Sequence, residues 1–124
     1  VAKKYGVDVI SMISPTSEER IARIAKEATG FIYVVSSMGV TGVRSEIHTD
    51  LAKIIEKIRS VTNVPCAIGF GISTPEQAEK MAALADGAIV GSAIVKIVAE
   101  YKEEAAQPLY DYVASMKQAV LAAR

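Results

Sequence analysis

Two short segments carry most of the chemistry this chain can offer, Gly69-Phe70-Gly71-Ile72-Ser73 and Gly91-Ser92. Glycine has no Cβ, so the backbone N–H groups beside it can come close to an anion. Gly91-Ser92 also opens a short helical pattern through Ile94, Val95 and Val98. The free N–H groups and the dipole at such a helix start favour a phosphate. Either motif alone reads as a plain turn. Together, in this order and with that helix, they predict a phosphate site.

Acid–base catalysis reads differently. It needs a positioned proton carrier, which in parallel α/β proteins stands at the C-terminal end of a strand. The candidate ends here carry Ser14, Ser36, Ser37, Gly69, Gly71, Ser73, Gly91 and Ser92, without a carboxylate, lysine or histidine. Asp8 and Asp86 fall at the opposite ends and read as turn or stability residues. His48 lies in a long loop without Cys or His neighbours and reads as exposed or capping. Cys66, inside a strand, reads as a small buried hydrophobe and not a nucleophile. Tyr33 is mid-strand, so it is either core or a cavity residue whose hydroxyl needs a partner. Phe70, between two glycines, is either core or the lining of an apolar ligand pocket. No thiol cluster is present to hold a metal.

The elements that must position these residues alternate. Apolar, β-branched runs at Val7–Ile13, Phe31–Ser36, Val64–Gly69 and Gly87–Gly91 read as strands covered on both faces. A helical pattern follows each. Thr16 with Glu19 forms a capping box before the Ile21, Ile24, Ala25 stripe. Leu51, Ile54, Ile55 and Ile58 recur at helical spacing, and Thr74-Pro75 with Gln77 opens a third helix. A last amphipathic helix starts near Pro108, with Leu109, Tyr112, Val113, Met116 and Val120 on one face. The Ser36 to Thr49 stretch, with Gly39, Thr41 and Gly42, reads as a long functional loop. This spacing predicts a (βα)4 α/β unit, part of a barrel or a small doubly wound sheet.

Composition narrows the classes. The chain has 124 residues, enough for one domain, residues 1–124, and fourteen basic residues balance fourteen acidic ones. A basic excess for nucleic acid is therefore lacking, and the apolar runs are too short for a membrane span. Half the residues are hydrophobic, which excludes disorder. One cysteine cannot form an internal disulfide, so a reducing cytoplasm is the natural reading. The chain opens at Val1 without a methionine or a signal-peptide pattern, so further sequence upstream is expected.

At its motifs the sequence resembles the tryptophan synthase α subunit family. The resemblance is carried by Gly30-Phe31-Ile32-Tyr33-Val34-Val35-Ser36 with Gly39-Val40-Thr41-Gly42, by Gly69 to Gln77, and by Gly91-Ser92-Ala93-Ile94-Val95-Lys96. It runs over essentially the whole chain and implies strands five to eight of a (β/α)8 barrel, the C-terminal half. The family cleaves indole-3-glycerol phosphate to indole and glyceraldehyde 3-phosphate and passes indole to a pyridoxal-phosphate β subunit. The resemblance implies that Gly42, Gly71, Gly91 and Ser92 hold the phosphate. Tyr33, Phe70 and Ile89 would line the rest of the pocket, and Thr41 would belong to the closing loop that supports a catalytic aspartate. The family's catalytic glutamate and aspartate belong to strands two and three, which have no counterpart here. Ser37 departs from the pattern, since many members carry arginine there. No cofactor or metal is implied for this segment.

Two readings follow. The chain is the phosphate-binding half of a lyase, inactive alone, or a stand-alone half-barrel that binds phosphate esters or self-assembles. Another phosphate-binding barrel, such as those of histidine biosynthesis, fits less well because of the Gly39 to Gly42 loop. The first strand is largely apolar on both faces (Val7, Val9, Ser11 and Ile13 on one, Ile10 and Met12 on the other). A lone half-barrel is therefore expected to pair with an N-terminal half or to form a two-fold homodimer.

Overall fold

The structure, a computed structural model, describes residues 1–15, 19–36 and 44–123; for residues 44–50 the backbone alone is described. Four strands, β1 (Ser11–Ile13), β2 (Ile32–Val35), β3 (Cys66–Gly69) and β4 (Gly87–Ile89), form one parallel sheet in the order β1-β2-β3-β4. Register pairs Met12 with Tyr33, Tyr33 with Ala67 and Ala67 with Gly87. The helices are α1 (Ile21–Glu27), α2 (Arg44–Arg59), α3 (Pro75–Leu84), α4 (Ser92–Tyr101) and α5 (Ala106–Ala122).

Sequential strand order decides the architecture. Right-handed crossovers between neighbours that never reverse direction put every helix on the same side. A doubly wound sheet would need a reversal in the order. The α/β unit is thus half of a (β/α)8 barrel, as expected of strands five to eight. Its core lies between sheet and helices, where Ile13, Ile32, Val34, Cys66 and Ile68 meet Ile21, Leu51, Ile55, Ile58, Met81 and Met116. The opposite face carries Met12, Tyr33, Val35, Ala67 and Ile89, none of them buried, and Met12 is 60% exposed.

Several boundaries differ from the sequence expectation, each for a physical reason. β1 is only Ser11–Ile13, because its sole ladder partner, β2, begins at Ile32 opposite Ser11. Val7 and Val9 lie outside the sheet and are 58% and 68% exposed. α1 starts at Ile21 with Arg20 as an N-cap that makes no side-chain bond, so the expected box does not open it; Thr16 lies outside the described residues. α2 begins at Arg44, so the expected loop is shorter and His48 has helical backbone. α5 begins at Ala106, and its Met116 is buried against the core while Val113 is 46% exposed, off the buried stripe.

Candidate functional site

The C-terminal ends of β3 and β4 are neighbours, with Gly69 opposite Ile89 in the ladder. The Phe70-Gly71-Ile72-Ser73 turn and the Val90-Gly91-Ser92 turn therefore leave the sheet side by side. This brings together Gly71, Gly91, Ser92, Phe70 and Ile89 from the sequence reading. Tyr33 joins them across β3: a Cβ added at Gly69 would fall on its phenol ring and hydroxyl. Glycine is required there by close approach. Thr41 and Gly42, like Ser37, lie outside the described residues.

The first turn is strained and anchored at both ends. Phe70 has φ 83° and Gly71 φ 76°. For Gly71 this is easy, but for a bulky residue it costs about 1–3 kcal/mol. At the near end, the buried Ser36 hydroxyl sits 3.0 Å from the Gly69 carbonyl and donates to the Phe70 carbonyl at 2.7 Å. At the far end, Gln77 Oε1 accepts from the N–H groups of Ser73 (2.9 Å) and Thr74 (3.2 Å). The Tyr112 hydroxyl of α5 donates to the Ser73 carbonyl at 2.8 Å. Between these anchors the Phe70 ring projects outward, 58% exposed.

The two helix starts at this edge differ. α3 is closed by a complete capping box, Thr74 accepting from the Gln77 N–H and Gln77 reaching back to the Thr74 N–H. Glu76 adds a negative charge, its carboxyl held below its ordinary value by its own backbone N–H and then by the Thr74 hydroxyl. α4 starts at Gly91 with no side-chain cap and no acidic residue in its first turn. Its leading N–H groups lack intrahelical partners, and the space where a Gly91 side chain would stand is open. Of these two starts, α4 is the one open to an anion.

The remaining candidates take structural places. Cys66 is buried at the start of β3, where burial, and then the charge of Asp86, pushes its thiol above its ordinary value. Asp86 accepts the Cys66 N–H at 2.8 Å and pairs with Arg59 at 3.7 Å, tying the N-terminal ends of β3 and β4. Among the described residues there is no group of three or more His, Cys, Asp or Glu placed to hold a metal ion, and no helix long and apolar enough to cross a membrane. Nothing in the sequence marks Ser36, Gln77 or Tyr112 as an anchor of this turn. Gln77 was visible as a cap, but only the fold brings Ser36 and Tyr112 to this turn, across 34 and 39 positions.

With this geometry in hand, comparison with known proteins is direct. The family model for the tryptophan synthase alpha chain matches residues 1–122. The alpha chain of Lacticaseibacillus casei is 53% identical over 120 residues, which are 97% of this chain and 45% of that protein. That of Lactiplantibacillus plantarum is 54% identical over 117 residues, 94% of this chain and 44% of that one. The solved alpha subunit of Campylobacter jejuni superposes with a TM-score of 0.77 at 36% identity, covering 84% of this chain and 42% of that one. The alpha chain of Legionella pneumophila gives 0.74 at 32% identity, covering 95% and 44%. The chain thus spans somewhat less than half the length of the relatives it matches.

Proposed function

Because the chain belongs to the tryptophan synthase alpha chain family, we propose that it is the phosphate-binding half of the lyase that cleaves indole-3-glycerol phosphate. The products are indole and glyceraldehyde 3-phosphate. The observation that carries this reading is the uncapped start of α4 beside the anchored Gly69–Gly71 turn, two sets of backbone donors at one edge of the sheet. Backbone N–H groups at Gly71, Gly91 and Ser92, with Gly42 from the preceding loop, take the phosphate. Tyr33, Phe70 and Ile89 line the indole and glycerol part of the pocket, and Thr41 belongs to the loop that closes it and supports the catalytic aspartate.

Among the described residues, the strand ends of this half-barrel unit (residues 1–124) offer no carboxylate for proton transfer, so the acid and base come from the other barrel half. Such groups each supply about 100- to 10,000-fold, and the chain alone is inactive. Indole goes on to the tryptophan synthase β subunit, in the cytoplasm. A second reading, a non-catalytic half-barrel that self-associates as a homodimer, is favoured by the uncovered sheet face around Met12.

The test is calorimetric. Glycerol 3-phosphate titrated into the chain binds, and Gly91→Val, whose side chain fills the open space at the α4 start, abolishes binding. Unchanged affinity in that variant removes Gly91 from the site.

A further inference from the structure

Ser36 is the buried polar residue of this structure: among the described residues no other polar or charged side chain is buried. It closes β2, and its own N–H extends the ladder to the Gly69 carbonyl at 3.0 Å. Its hydroxyl has a single hydrogen to donate, and the shorter contact, 2.7 Å, is to the Phe70 carbonyl. The Phe70–Gly71 peptide is planar and trans, so its N–H points opposite to its carbonyl. A carbonyl drawn toward Ser36 turns the Gly71 N–H away from it, and that N–H has no acceptor among the described residues. Gly71 is exposed. It lacks a Cβ, so nothing in its own side chain resists a flip of this peptide. After a flip the carbonyl oxygen would take the place of the N–H and repel an anion.

We propose that Ser36 is a positioning residue for the phosphate: its hydroxyl locks the Phe70–Gly71 peptide with the Gly71 N–H presented to the ligand. This rests on the phosphate site proposed above. Tyr33 and Gln77 fix the backbone on either side of the turn, but neither bonds to this peptide group. The lock is therefore specific to Ser36.

The experiment titrates inorganic phosphate into the full chain and into Ser36→Ala, by calorimetry and by amide NMR, with thermal unfolding to establish that the variant is folded. In the unsubstituted chain the Gly71 amide resonance shifts on phosphate addition together with those of Gly91 and Ser92. Ser36→Ala binds about 10-fold more weakly, the scale of one lost hydrogen bond, and its Gly71 amide no longer responds. A folded Ser36→Ala with unchanged affinity overturns the role of Ser36 and leaves the phosphate site standing. So does an unsubstituted chain in which Gly91 and Ser92 respond while Gly71 does not, a result that decides the matter even if the variant does not fold. Absence of any phosphate binding by the unsubstituted chain overturns the site itself, and the inference with it.

Discussion

At the scale of single residues, a methyl group added at Gly69 lands on the ring and hydroxyl of Tyr33. Gly69 is held by ladders to Val35 on one side and Ile89 on the other, so its backbone has little room to retreat. Overpacking of this kind costs about 1–3 kcal/mol. Gly69→Ala is expected to lower the thermal unfolding midpoint, and Tyr33→Ala in the same chain to recover part of the loss. Simple additivity of the two losses would contradict the contact. Cys66 predicts a pH dependence. Burial raises its thiol above the ordinary value of 9.0, so the folded state keeps a proton that the unfolded state gives up. That contribution is fully present below pH 9.0 and is lost as pH rises through the folded value. Urea melts on either side of pH 9.0 should show the alkaline loss, and Cys66→Ala should reduce it.

Elements place the site through their ends. The α3 cap both starts the helix and pins the Phe70–Ser73 turn, since Gln77 Oε1 takes the N–H groups of Ser73 and Thr74. Thr74→Ala is expected to cost about 1 kcal/mol in chemical denaturation, and Gln77→Ala to loosen the turn as well, seen as faster amide exchange at Ser73 and Thr74. Unchanged exchange there would leave Tyr112 as the anchor of the far end of the turn. This cap was legible because its residues are adjacent in sequence and its geometry is local. The capping box proposed at Thr16 and Glu19 follows the same rule, yet α1 starts at Ile21 instead. Arg20 is the N-cap there, and Thr16 lies outside the described residues. The limits of β1 were hidden as well: Val7 and Val9 have strand character, but no partner strand reaches them.

For the whole molecule, the question is what covers the inner face of the sheet. α5 packs along α3 and reaches the core through Met116, on the helical side, so it does not cover Met12, Tyr33 and Ile89. β1 and β4 each also keep one unpaired edge. Free edges and an apolar face favour association. A two-fold axis along the barrel axis would set β4 of one copy parallel to β1 of the other at both seams. Light scattering is expected to show self-association that grows with concentration; a folded monomer throughout would contradict it. With indole-3-glycerol phosphate the chain alone is expected to release no indole, and measurable release by purified material would overturn the assignment of acid and base to the other half.

The sequence by itself determined the alternation of strand and helix, the α3 cap and the two glycine motifs. All of these depend on residue type and short-range spacing, which a linear chain displays. Tertiary structure decided the rest. Only strand order separated a barrel half from a doubly wound sheet, because both share the same local pattern. Only register set Gly69 opposite Ile89 and made neighbours of the two glycine turns. Only packing turned Tyr33 onto Gly69, Tyr112 onto Ser73 and the Ser36 hydroxyl onto Phe70, contacts whose partners stand more than thirty positions apart. Over such separations the sequence holds no local signal, since it is the closed fold that brings the atoms together.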